Sequence, residues 1–221
     1  EWKRRLAHMK QAGISAILPE VFNNHAAAYQ SAHLPVLGPW LEQLLPLARE
    51  AGLEVHAWMH TMTCTIPRVN QEHRDWFAVN GRGESAVDKP AYVSYYKFLC
   101  PSQPGAQAFL QQRVQELAQY AELTSIHLDY IRFPDVILAA GLQPQYGIVQ
   151  DREYPQYDYC YCARCREAFA QQTGIDPLAL PDPSAHCDPH DVGVRMALYR
   201  LLIERGNPAG ALGAHDELSP F

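Results

Sequence analysis

The chain has 221 residues, 48% of them hydrophobic, and a formal net charge of −6 from 18 basic and 24 acidic side chains. That is enough apolar material for the core of one domain, or of one domain with a small appendage. The charge is dispersed without a basic stripe, which argues against nucleic acid as the main partner, and no apolar run of about 18 residues is present to span a membrane. The first residue is Glu1, inside an amphipathic stretch. The expectation is a processed form or a fragment, in which a signal peptide would go unseen.

In chain order, Trp2, Leu6 and Met9 recur at helical spacing over residues 1–12, and Gly13 ends that run as a C-cap does. Residues 14–21, I-S-A-I-L-P-E-V, read as a short buried strand with Glu20 near its end. A loop rich in Asn, His and Ala follows over 22–39. A second helix is expected over 40–50, with Leu41, Leu44, Leu45 and Ala48 on one face and Gly52 closing it. The strand expected next, over 53–60, reads L-E-V-H-A-W-M-H. Helix, glycine and strand, twice in succession, is the grammar of a parallel α/β fold.

Residues 61–104 form a long insertion with a turn at Asn80-Gly81-Arg82-Gly83, and residues 95–100 within it are expected as a further, shorter strand. An amphipathic helix over 106–121 carries Phe109, Leu110, Val114, Leu117 and Tyr120, and leads into a strand over 125–132. After Pro134 the periodicity weakens. A Tyr-rich loop runs to residue 159, a helix extends from near Ala163 to Gln172, and another is expected over 194–204. Residues 206–221 have no periodic pattern and are expected to be poorly ordered.

In a parallel barrel, side chains at the C-terminal ends of the strands share one mouth. That rule selects Glu20, then His56, Trp58 and His60, then His127, Asp129 and Arg132. Asn23, just past the first strand, and Tyr130 join them as candidates to bind a substrate. Strand alternation puts His127, Asp129 and Ile131 on one face, with Leu128 and Tyr130 on the other. A carboxylate with a cation two or three residues away is suited to stay ionised. It can then attack an anomeric carbon or act as a base towards water. The same D-x-x-R spacing equally suits a salt bridge that holds the following loop. Glycosidic chemistry needs a second carboxylate, for which Glu20 and Asp135 are the candidates. Trp58 could stack on a sugar ring, whereas Trp2, Trp40 and Trp76 are expected to pack in the core or in loops. His56 and His60 are four apart on a strand rather than a helix, about 13 Å from each other, and are not expected as a metal pair.

Four segments together carry a family resemblance. They are H-L-D-Y-I-R-F-P at 127–134, L-E-V-H-A-W-M at 53–59, Y-C-Y-C-x-x-C-R-E-x-F at 159–169, and T-G-I-D-P at 173–177. The first is very close to the H-L-D-Y-I-R-Y-P signature of bacterial family 10 glycosylhydrolases, the glycoside-hydrolase-like family 10, and the others follow the family's order. The resemblance implies a (β/α)₈ TIM-barrel hydrolase acting on glycosidic bonds of a polysaccharide or cell-wall glycan. It further implies a secreted or cell-envelope location and no required cofactor. Carried over by position, Asp129 is the catalytic carboxylate of the signature strand, His56 and Trp58 lie in a second strand motif, and Glu20 falls at the end of the first. Family barrels continue with four more strand–helix units after the Cys-rich segment, and these are not legible here. Because a barrel takes about 250 residues, the expected architecture is a partial or truncated one. It covers residues 1–183 with its Cys-rich loop at 159–170, and an atypical C-terminal segment follows over 184–221.

The C-x-C-x-x-C of Cys160, Cys162 and Cys165 packs three soft ligands into six residues. It suits a structural zinc that His186 or Cys187 would complete; a disulfide within the loop, or buried thiols, are the alternatives. Two further functions stand beside glycoside hydrolysis. One is a degenerate barrel that binds carbohydrate without cleaving it, and the other is a metal-dependent hydrolase using His and Cys ligands.

Overall fold

Residues 1–179 are described by a computed structural model, and they divide into two units. Unit 1 comprises Glu1–Phe77 with Val93–Phe133; unit 2 comprises Ala78–Tyr92 with the chain from Pro134 onward. The atypical segment expected over 184–221, with His186, Cys187 and the helix of 194–204, lies outside the described residues. No described helix is long and apolar enough to cross a membrane.

Unit 1 runs α1 (Trp2–Gln11), β1 (Ala16–Ile17), β2 (Glu20–Phe22), α2 (Trp40–Ala51), β3 (Glu54–His60), α3 (Pro67–Glu72), α4 (Pro104–Leu117) and β4 (Ser125–Asp129). All the strand pairings are parallel, and β3 is their common partner. Alternate residues of β3 serve opposite edges. The N–H groups of Glu54 and Trp58 donate to the carbonyls of Ser15 and Pro19, both at 2.9 Å. On the other edge the Val55 carbonyl accepts from Thr124 at 2.9 Å, and the Thr61 N–H donates to Asp129 at 2.7 Å. The fold is therefore α/β with a parallel sheet, as the helix–glycine–strand repeats predict. Gly52 closes α2 at φ 71°, a left-handed conformation in which its missing Cβ avoids strain.

Four expectations change. The strand over 14–21 forms as two short pieces, because Pro19 has no N–H to give the ladder and interrupts it. Residues 95–100 do not join the sheet. They make only isolated antiparallel bridges, Phe98 to Thr63 and Leu99 to Phe77, while Phe98, Leu99 and Cys100 are buried. The apolar run there reports burial, not parallel pairing. The strand over 125–132 ends at Asp129, since Tyr130 turns out of the ladder at φ 52°. Ile131 and Arg132 thus leave the alternation that the sequence suggests. Trp2 and Trp40, expected in packing, are 54% and 50% exposed.

In unit 2 the backbone is held more by side chains than by ladders. Asn80 is fully buried, and its amide oxygen accepts the N–H groups of Arg82 and Glu84, both at 3.0 Å. Its amide nitrogen donates to Glu84 Oε2 at 3.0 Å and to the Gln156 carbonyl at 3.3 Å. Gln150 does the same for the aperiodic stretch after Pro134: it accepts from Leu138 N–H at 2.7 Å and donates to the Val136 carbonyl at 3.2 Å. Tyr157 stacks on Tyr92 at 4.4 Å between ring centroids. The single α-helix described here is α5 (Ala163–Thr173), ended by Gly174 at φ 72°.

The buried stripe of α4 is Ala106, Phe109, Arg113 and Leu117, while Leu110, Val114 and Tyr120 are only half-buried. Arg113 is fully buried. Its guanidinium donates to the carbonyls of Thr61 at 2.8 Å and His60 at 3.4 Å, and lies 4.8 Å and 4.5 Å from the ring centroids of Phe22 and Phe109. Burial lowers its pKa to about 10. Arg113→Met is expected to keep the volume yet leave two carbonyls without a donor, costing about 1–3 kcal/mol. Arg113→Ala should cost more by adding a cavity. Urea unfolding of both variants checks this, and an unchanged midpoint in either would show that the guanidinium contributes nothing.

Candidate functional site

In a parallel ladder, paired residues direct their side chains to the same face. The register pairs Glu20 with Trp58, His56 with Ser125, Trp58 with His127, and His60 with Asp129. One face of the sheet thus carries Glu20, His56, Trp58, His60, Ser125, His127 and Asp129. The opposite face of β3, Val55, Ala57 and Met59, is buried, and α2 packs against this strand. That division explains why the strand alternates apolar and polar residues although parallel strands usually read as unbroken apolar runs.

Along the polar face, side chains converge at the C-terminal end. Trp58 Nε1–H donates to Asp129 Oδ2 at 3.0 Å, and the Tyr130 N–H donates to Asp129 Oδ1 at 2.7 Å. Both carboxylate oxygens are oriented by these two donors. His60 Nε2 lies 3.2 Å from Glu20 Oε1, and the His60 ring is 4.5 Å from Tyr130 and 5.9 Å from Trp58 between centroids. Burial lowers the pKa of His60, against the opposing pull of Glu20 and Asp129. The imidazole is therefore neutral at neutral pH, and with Nε2–H directed at Glu20 its Nδ1 is a lone-pair acceptor. That Nδ1 is buried and has no hydrogen-bond partner among the described residues. Burial, then Tyr95, Tyr96 and Asp129, raise Tyr130 to about 12, so its hydroxyl stays protonated.

The other candidates stand apart from this cluster. His56 sits lower on the strand, with Nδ1 at 2.6 Å from Ser125 Oγ and Nε2 at 3.5 Å from Glu54. His127 shares the face and is exposed. Asn23 commits its amide oxygen to a turn, accepting from Ala26 at 3.0 Å and His25 at 3.2 Å. The Arg132 guanidinium donates to the Phe133 carbonyl at 3.0 Å and lies 5.9 Å from the Tyr130 ring. The D-x-x-R spacing does not form the salt bridge that it suggests, because the Asp129 oxygens go to Trp58 and Tyr130. Asp135, the other candidate for second carboxylate, belongs to unit 2, where its backbone carbonyl accepts the Tyr92 hydroxyl at 2.6 Å. Cys160, Cys162 and Cys165 also fall in unit 2, with their sulfur atoms within 4.8 Å of one another. A cavity of about 420 Å³ opens elsewhere, between Gln30, His33, Glu116 and Tyr120, and shares no lining residue with the strand-end cluster.

Two contributions to this site and its strands escaped the sequence. Tyr95 and Tyr96 act on Tyr130 although they come from the insertion, and Ser125 holds His56 from the start of β4. The Tyr-rich run at 92–98 was the only signal for the first pair.

No family model matches the chain, and no curated protein matches it. Solved structures do. The α-L-fucosidase isoenzyme 2 of Paenibacillus thiaminolyticus aligns with 99% of this chain at 20% identity and a TM-score of 0.52. A β-galactosidase of Rahnella sp. R3 aligns with 94% at 14% identity and the same TM-score of 0.52. The fold is shared with glycosidases. The chain spans 28% of the fucosidase and 32% of the β-galactosidase, and at these identities the likeness is one of fold alone.

The lowered pKa of His60 fixes the sign of a pH effect. Between the folded pKa and the unfolded value near 6.5 the unfolded chain binds more protons, so stability rises with pH there. His60 should cost stability as the pH falls through about 6.5 and below. Urea unfolding at a series of pH values is expected to show a shallower acid loss in His60→Asn than in the parent chain. An identical slope would remove His60 as its source.

Proposed function

We propose that the strand-end cluster is a glycoside-hydrolase site on a partial (β/α)₈ barrel of the family 10 glycosylhydrolase type. The observation that carries this reading is the placement of two carboxylates around His60: His60 and Asp129 are the paired last residues of β3 and β4, and Glu20, the first residue of β2, lies 3.2 Å from His60. Barrel enzymes keep their chemistry at the C-terminal ends of their strands. In this reading Asp129, fixed through both oxygens, attacks the anomeric carbon or activates a water, and Glu20 is the acid/base partner, with its proton exchanged through His60. Trp58 serves twice, holding Asp129 through its indole N–H and offering an aromatic face to a sugar ring. His127, His56, Tyr130 and Arg132 are the polar contacts to a glycan substrate, and Asn23 shapes the loop at the rim.

The exposed edge supports the partial-barrel reading. Among the described residues β4 pairs only with β3, and its Leu128 is 38% exposed. Parallel strands are normally covered on both faces and flanked by neighbours, so further strands belong beside β4. The same exposure favours a second reading, a carbohydrate-binding surface without cleavage, because glycosidic chemistry needs a sheltered pair of carboxylates. A metal-dependent hydrolase is less well supported. No three His, Cys, Asp or Glu side chains of this sheet face converge at ligating distance among the described residues.

Asp129→Asn and Glu20→Gln are expected to keep the fold, as judged by circular dichroism, and each to lower hydrolysis of glycan oligosaccharides by at least about 10²-fold. Full activity in Asp129→Asn would sink the hydrolase assignment. Glycan binding by the parent chain without any cleavage would instead support the binding reading.

A further inference from the structure

We infer that Cys160, Cys162 and Cys165 bind a structural zinc ion in unit 2. The three sulfur atoms lie within 4.8 Å of one another. Tetrahedral zinc with Zn–S bonds near 2.3 Å sets its sulfurs roughly 3.8 Å apart, a spacing that falls within this limit. A disulfide would need one pair to close to about 2.05 Å and would leave the third thiol over.

The surroundings suit thiolates. The Val79 N–H donates to Cys160 Sγ at 3.4 Å, the kind of outer hydrogen bond that fixes a metal-bound sulfur. Cys162 is the residue before α5, and Cys165 lies in its first turn, where the unpaired N–H groups and the helix dipole favour negative charge. Three negative sulfurs brought this close repel one another unless a cation sits among them. Binding is balanced by loss of three thiol protons to solvent, giving three Zn–S bonds. The three sulfurs supply three of the four zinc positions.

The ion would do in unit 2 what a core does elsewhere. Residues 159 and 161 pair with the 79–80 segment, through the Asn80–Tyr159 bridge and the Tyr161 N–H to Val79 carbonyl bond at 2.8 Å. The zinc would fasten the start of α5 to that pairing. None of its three ligands is a strand-end residue, so its loss and the failure of the hydrolase reading are separately visible.

The test is metal content of the full chain purified after growth with zinc. About one zinc per chain is expected by plasma mass spectrometry, released when a mercurial blocks the thiols. Cobalt exchanged into the parent protein should give a thiolate-to-metal charge-transfer band, which needs no variant to fold. Cys160→Ser, Cys162→Ser and Cys165→Ser should each lower zinc content and speed proteolysis between residues 134 and 162, whereas Cys64→Ser should leave zinc unchanged. Chain without zinc or cobalt uptake, or with a disulfide among these cysteines in the intact mass, would overturn the inference.

Discussion

A buried positive charge, with no carboxylate partner among the described residues, sits within unit 1, and the strand ends are organised around it. Arg113 cannot reach water, and taking a guanidinium out of water costs several kcal/mol even after the protein relaxes. The return comes from charge-assisted hydrogen bonds to the His60 and Thr61 carbonyls and from the faces of Phe22 and Phe109. Those carbonyls are the ones at which β3 stops. The Thr61 N–H also closes the ladder to the Asp129 carbonyl. One side chain of α4 thereby fixes where β3 ends, and that end is where Glu20, His60 and Asp129 meet.

The sheet then divides its labour by face. Val55, Ala57 and Met59 lie on the buried face, while Trp58 and His60 share the other with the acidic groups. Desolvation on that face keeps His60 neutral and Tyr130 protonated. The cluster accordingly combines two carboxylates with proton-bearing groups of different strength, a combination suited to acid–base work. Tyr130 adds strain: a bulky residue at φ 52° is unfavourable by of order 1–3 kcal/mol. Its backbone donor on Asp129 is one reason for the chain to tolerate that conformation.

Unit 2 solves a different problem. Among its described residues few large apolar side chains are buried, and the buried amides Asn80 and Gln150 replace ladder bonds one by one. Of its tyrosines, Tyr157 stacks on Tyr92, while Tyr154 and Tyr161 bond Asp151 and Asp158. They pack their own loop.

Local chemistry was legible in the sequence wherever one residue decides the outcome. Periodicity located α1, α2, β3, α4 and α5; Gly52 marked the end of α2; and alternation set His127 and Asp129 on one face. Tertiary structure decided what depends on partners distant in the chain. The break at Pro19 matters only because β3 offers the ladder that it interrupts, and residues 95–100 are apolar for burial against loops rather than pairing in the sheet. The D-x-x-R spacing suited a salt bridge from Asp129 to Arg132 as well as a catalytic role, and Asp129 is held by Trp58, 71 positions earlier. Arg113 could not be recognised as a buried residue at all, since a charged side chain enters a core only when carbonyls and aromatic faces from other elements receive it there.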